Sequence, residues 1–81
     1  MKGIVKYVNI KNGLCAIELQ TNNFTIFEDL DENLSVGDIV TGNLESLGSE
    51  TLYNETEETE VNGFIENIHC GENQLRNQLK F

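Results

Sequence analysis

The sequence predicts an all-β fold, a small five-stranded antiparallel barrel with either a short C-terminal helix or a disordered tail. Three observations lead there. Short apolar runs recur with turn residues between them about every 8–12 positions, the spacing of all-β barrels and sandwiches. The runs are rich in β-branched and aromatic residues, which fit a pleated, half-buried surface. An Asn12-Gly13 pair separates the first two runs, and Asn-Gly in that position is a strong hairpin signal. With 81 residues there is room for one domain and one modest core. The barrel is expected over residues 1–70 and the tail over 71–81.

The first run, Gly3 to Ile10, predicts strand one, and Lys11-Asn12-Gly13 turns it into strand two, Leu14 to Leu19. Alternation along strand two puts Cys15, Ile17 and Leu19 on one face and Leu14, Ala16 and Glu18 on the other. Thr21-Asn22-Asn23 makes a second tight turn into strand three, Phe24 to Phe27, so the first three strands form a meander. An acidic connection from Asp29 to Asp38 leads to strand four, Ile39 to Leu44, where Gly42 marks a bulge or bend. The stretch from Ser46 to Glu60 is the least legible: Thr51-Leu52-Tyr53 adds at most a short strand, and Glu55 to Glu60 reads as an acidic loop or solvated edge. Val61 to Ile68 predicts the last strand. In the tail, Leu75 and Leu79 stand at helical i, i+4 spacing.

The net charge of −9 is unevenly distributed. Residues 1–27 carry +2, residues 28–60 carry −11 with no Lys or Arg, and residues 61–81 balance. Affinity for nucleic acid comes largely from neutralising phosphates, so the acidic middle argues against tight non-specific binding and leaves the N-terminal third as the place for a local site. No apolar run approaches the roughly 18 residues of a transmembrane helix. Met1 to Lys6 lacks the apolar region of a signal peptide, so the expected location is the cytoplasm. Cys15 and Cys70 are expected to be reduced, with a disulfide between them as the alternative.

Met1-Lys2-Gly3-Ile4-Val5-Lys6-Tyr7-Val8-Asn9 followed by Lys11-Asn12-Gly13-Leu14-Cys15-Ala16-Ile17 resembles the opening of cold-shock-domain proteins, where Gly-x-Val-Lys-Trp-Phe-Asn precedes Lys-Gly-Phe-Gly-Phe-Ile. The likeness continues through Asn23-Phe24-Thr25-Ile26-Phe27 and Val36-Gly37-Asp38-Ile39-Val40, and covers roughly the first 45 residues. It implies a barrel of the oligonucleotide/oligosaccharide-binding (OB) type and a surface on which single-stranded bases stack on outward-facing aromatics. The family's tryptophan falls on Tyr7. Two of its phenylalanines fall on Leu14 and Ala16, a third on Thr25, its histidine on Phe27, and a further aromatic on Glu28. Tyr7 and Phe27 are retained as aromatics and Lys6 and Lys11 as cations, while four stacking positions are lost. At roughly 1–3 kcal/mol per stacked base, that loss removes several kcal/mol of affinity.

Catalysis and metal binding find little support. There is no nucleophile elbow and no Gly-rich phosphate loop. Asp29 and Asp31 are paired carboxylates expected in a loop, and His69-Cys70 is the only adjacent pair of soft ligands, short of the four that structural zinc requires. No enzyme activity, cofactor or metal is expected. The expected function is a non-catalytic OB-like binding module with weak or lost affinity for single-stranded RNA or DNA. The alternative is a protein-interaction module using the acidic 45–60 edge, nucleic-acid mimicry included, or an exposed patch of Tyr7, Leu14, Ala16 and Phe27, against which stands the reading that Leu14 and Phe27 simply lie under a loop or the tail. Candidate binding residues are Lys6, Tyr7, Lys11, Leu14 and Phe27.

Overall fold

The computed structural model describes residues 1–80; the last residue of the tail, Phe81, lies outside them. Six strands, β1 (Lys2–Asn9), β2 (Leu14–Leu19), β3 (Phe24–Asp29), β4 (Ile39–Thr41), β5 (Gly48–Asn54) and β6 (Thr59–Cys70), precede a 3-10 turn (Glu72–Gln74) and a one-turn helix α1 (Leu75–Gln78). All neighbouring strands are antiparallel, and they close in the order β1-β2-β3-β6-β5-β4. Closure is made where Lys2, Gly3 and Ile4 pair with Thr41, Val40 and Ile39.

The β-barrel is as expected, with six strands in place of five. The additional strand is β5, from the acidic stretch. Its sequence concealed it because Leu52 is its single large apolar residue directed inward, while the next inward position holds a fully buried Asn54. Both polar atoms of that asparagine find partners. Its Nδ2 donates to Asp38 Oδ2 at 2.8 Å, and its Oδ1 accepts from the backbone N–H groups of Thr56 and Glu57. A buried polar side chain whose nitrogen and oxygen both find partners costs far less than an orphan, so it can stand where the hydrophobic pattern calls for a Val or Ile. Strand four is shorter than expected, ending at Thr41. Leu44 then turns into the interior, and its carbonyl accepts a bond from the buried Thr25 hydroxyl at 2.7 Å.

Two apolar clusters sit on opposite faces of the sheet. The barrel interior holds Val5, Cys15, Ile17, Leu19, Phe27, Leu34, Val40, Leu44, Leu52, Val61 and Ile65. The second cluster lies on the outer face of β2, β3 and β6, where Leu14, Ala16, Phe24, Ile26 and Cys70 are covered by Leu75 and Leu79 of the tail. The i, i+4 leucines therefore do mark a helix that packs. Strand two is buried on both faces for this reason, and its alternation divides the residues as the sequence predicts. Gly63 permits β6 to cross close to β3, since a Cβ there would collide with the Glu28 carbonyl oxygen and sit 2.6 Å from Phe27 Cζ.

Candidate functional site

The outer face of β1–β3 is where the resemblance places a ligand. A bulge sets its geometry: β1 pairs Val5 with Ile17 but Tyr7 with Ala16, leaving Lys6 as the extra residue. Such an insertion bends the strand and re-aims the side chains beyond it. Lys6 and Tyr7 are consequently both exposed, while Val8 returns toward the interior and Asn9 lies on the outer side. Lys6 Nζ stands 3.5 Å from Glu18 Oε1, so its charge is partly answered within the chain. Tyr7 is 42% exposed; its hydroxyl donates to Glu72 Oε2 at 3.4 Å and its ring is tilted against Phe24 at 6.5 Å between centroids. Lys11 is exposed in the β1–β2 loop and borders a hollow with Ile10 and Lys80.

The expected exposed patch of Tyr7, Leu14, Ala16 and Phe27 does not form. Leu14 and Ala16 face outward as predicted but are buried by the tail, and Phe27 points the other way, into the barrel. The reason is register. Phe27 pairs with Cys15, an inward residue, so Thr25 and Phe27 are interior and Phe24 and Ile26 take the outer face. In a period of two, a shift of one residue exchanges the faces entirely. Matching residue types alone could not reveal it.

Two asparagines overlooked in the sequence fasten the tail. Asn9 Nδ2, buried, donates to the Leu79 carbonyl at 2.8 Å, and Asn12 Nδ2 donates to the same oxygen at 3.1 Å. Asn67 Nδ2 adds a bond to Gln78 Oε1 at 3.0 Å. Backbone carbonyls at a helix end have no intrahelical partner, and Leu79 finds two here. The paired Asn9 and Asn12 precede the turn-forming Gly13, so the hairpin that begins the meander also holds the end of α1.

Asp29 also lies elsewhere than the sequence predicts. It ends β3 rather than lying in a loop, is 4% exposed, and its Oδ2 accepts from Leu34 N–H at 2.8 Å. Asp31 is exposed and takes the Asn62 N–H at 3.1 Å. The two cysteines are free and lie in different clusters, Cys15 inside the barrel and Cys70 outside it. Burial, and then the Asp29 carboxylate, push the Cys15 thiol up to about 12; burial also raises Cys70. Both are thus held as thiols at neutral pH, the opposite of what a nucleophile requires. Among the described residues no group of three or more His, Cys, Asp and Glu side chains is placed to hold a metal ion. His69 stands beside Glu45 at 3.5 Å, while Cys70 is buried. No helix among the described residues is long and apolar enough to cross a membrane.

Compared with known proteins, the chain matches no family model, no curated protein and no solved structure. Its function is therefore read from its own residues.

Proposed function

We propose that the chain is a small, non-catalytic OB-like binding module, cold-shock-like in its first strands, whose affinity for single-stranded nucleic acid is weak or lost and whose partner is a basic protein surface. The observation carrying this reading is the tail seated on the outer face of β2 and β3, which leaves Tyr7 as the one exposed aromatic of the expected stacking platform. Stacking of successive bases needs several such rings. The charge supports the same reading. The β5–β6 hairpin presents Glu57, Glu58 and Glu60 to solvent with no cation within 4 Å among the described residues, and only Glu55 beside them is paired, to Lys2 at 3.3 Å. Exposed like charges on one hairpin steer an oppositely charged partner and repel phosphate. The cytoplasmic location expected from the sequence belongs to this proposal.

The test is a pair of titrations followed by amide shifts at low salt, one with a single-stranded thymidine oligonucleotide and one with a lysine- and arginine-rich peptide. The proposal expects saturable shifts from the peptide at residues 55–60, weakened about tenfold by the triple variant Glu57→Gln, Glu58→Gln, Glu60→Gln. Saturation by the oligonucleotide at Tyr7 and Lys11 would sink it. So would peptide shifts that the triple variant leaves unchanged.

A further inference from the structure

The tail covers the outer face of β2, β3 and β6, and nothing among the described residues covers the opposite one, formed by β1, β4 and β5. There Ile4 pairs across strands with Ile39, and Tyr53 stands beside them on β5, opposite Thr41. All three apolar side chains are between 36% and 42% exposed. Single exposed apolar residues are ordinary, but a contiguous group rimmed by charge marks an interaction surface. A hollow of about 300 Å³ lies beside Ile4 and Ile39, between Lys2 and Glu18, so the face carries a depression next to its ridge.

Four charges frame the isoleucine pair. Lys2 and Lys6 stand before and after Ile4 along β1. Glu18, the partner of Ile4 on β2, and Glu55, whose N–H donates to the Ile39 carbonyl, stand on the two sides across the strands. Their signs cancel, so the whole net charge of −9 is carried elsewhere on the chain. Within one copy Lys2 pairs with Glu55 at 3.3 Å and Lys6 with Glu18 at 3.5 Å, and all four side chains stay partly exposed.

We propose that this face is the interface of a symmetric homodimer, in which the Ile4–Ile39 pair of one copy packs on that of the other. The lysines of each copy then meet the glutamates of its partner. The lysines follow the strand direction and the glutamates lie across it, and that arrangement is self-complementary. A two-fold axis in the plane of the contact, at about 45° to β1, lays the Lys2–Lys6 line of one copy over the Glu18–Glu55 line of the other, and such a contact closes at two copies. The strands of the two copies then cross at about 90°, one of the two common ways for sheets to pack. A uniformly basic partner would meet Lys2 and Lys6, and a uniformly acidic one Glu18 and Glu55. A second copy carries both signs in the matching places. Two chains of charge −9 repel over most of their surface, and this face is where they can approach. It supplies fewer residues than the roughly 20–30 a side of a standard interface, so the dimer forms at roughly 0.1 mM and above. It is separate from Glu57, Glu58 and Glu60 of the β5–β6 hairpin.

The experiment is sedimentation equilibrium on the full chain up to about 1 mM, with amide shifts followed on dilution. The expected result is a mass rising toward twice that of one chain, with concentration-dependent shifts at residues 2–6, 39–41 and 53–55. Ile4→Ser, at an exposed position, should weaken association at least about tenfold. Lys2→Glu with Lys6→Glu leaves four acids on the face, and Glu18→Lys with Glu55→Lys leaves four bases. Each double variant should be monomeric alone, and an equal mixture should restore a dimer at least as tight as the wild type. Adding Ile4→Ser to either member should weaken that mixture again. The hairpin triple variant should leave the dimer no weaker, so this proposal and the one for the hairpin fail separately. A monomer mass at about 1 mM would overturn the proposal. So would a dimer that Ile4→Ser leaves intact, dilution shifts confined to residues 72–80, or a mixture of the two charge variants that stays monomeric while circular dichroism shows both folded.

Discussion

Leu79→Ala removes three carbons from a side chain that is 1% exposed and seals the outer cluster over Leu14, Phe24 and Ile26. At roughly 0.8 kcal/mol per buried methylene the transfer loss is about 2.4 kcal/mol. A residual cavity raises that toward the upper part of the observed range of about 2–5 kcal/mol for such truncations. The tail ends in a single helical turn held by a few side-chain hydrogen bonds, so it can settle inward and limit the cavity. The expected loss is therefore about 2–3 kcal/mol. In a domain of this size each kcal/mol moves the melting temperature by roughly 4–8 °C, which predicts a drop of roughly 10–20 °C. Urea unfolding followed by far-ultraviolet circular dichroism is the assay, since the chain has no tryptophan. The midpoint should fall with the slope unchanged, as expected when tail and barrel unfold together. A loss below about 0.5 kcal/mol would refute the reasoning, because it lies within the effect of ordinary surface substitutions. So would amide exchange that accelerates in residues 72–80 while the barrel keeps its full protection, since the tail would then be an independent appendage.

Two further predictions concern the interior. Gly63→Ala should prevent the close passage of β6 over β3, because the new Cβ meets the Glu28 backbone and the Phe27 ring, neither of which can swing aside; a loss of at least about 3 kcal/mol in urea melts is expected, the upper end of overpacking costs. Cys15 sets a limit in base. Its thiol ionises near 9.0 when unfolded and near 12 when folded, so the folded state binds a proton that the unfolded state releases. The sign is that this contribution is fully present below pH 9 and is lost as the pH rises through the interval to about 12. Urea melts at pH 8 and pH 10.5 should show the wild type losing more stability than Cys15→Ala over that step; equal losses would contradict it.

The meander was legible because each of its strands carries several apolar residues and its turns carry Asn and Gly. The division of β2 between two faces could be read from alternation alone. What the sequence withheld was the second layer. Leu14, Ala16, Phe24 and Ile26 form a face that is apolar and outward, which in isolation reads as an exposed patch. Only the later Leu75 and Leu79 turn it into a core, and nothing in a pattern of two or of 3.6 says which surface a distant helix will cover. β5 was hidden for a different reason, since Asn54 satisfies itself through Asp38 and its own turn and so needs no hydrophobic signature. Of the candidate binding residues, Lys6, Tyr7 and Lys11 are at the surface, while the face of Phe27 depended on a register that residue matching cannot fix. Asp29 carried no signal at all, because the burial of a carboxylate at a strand end is a property of packing and not of spacing.

The tail on the outer face has a consequence for how the molecule comes together. The β1–β2 and β2–β3 hairpins join residues close in sequence, whereas β3 must wait for β6, some forty positions later, and the outer cluster must wait for residues 75–79. Contacts between distant segments slow folding, since loop closure is opposed by entropy before any contact rewards it. A nascent meander can therefore form early, but Phe24 and Ile26 stay wet until residues 75–79 arrive. During that interval the outer face stays sticky even after the barrel interior has closed, and the helical turn at residues 75–79 serves as its stopper.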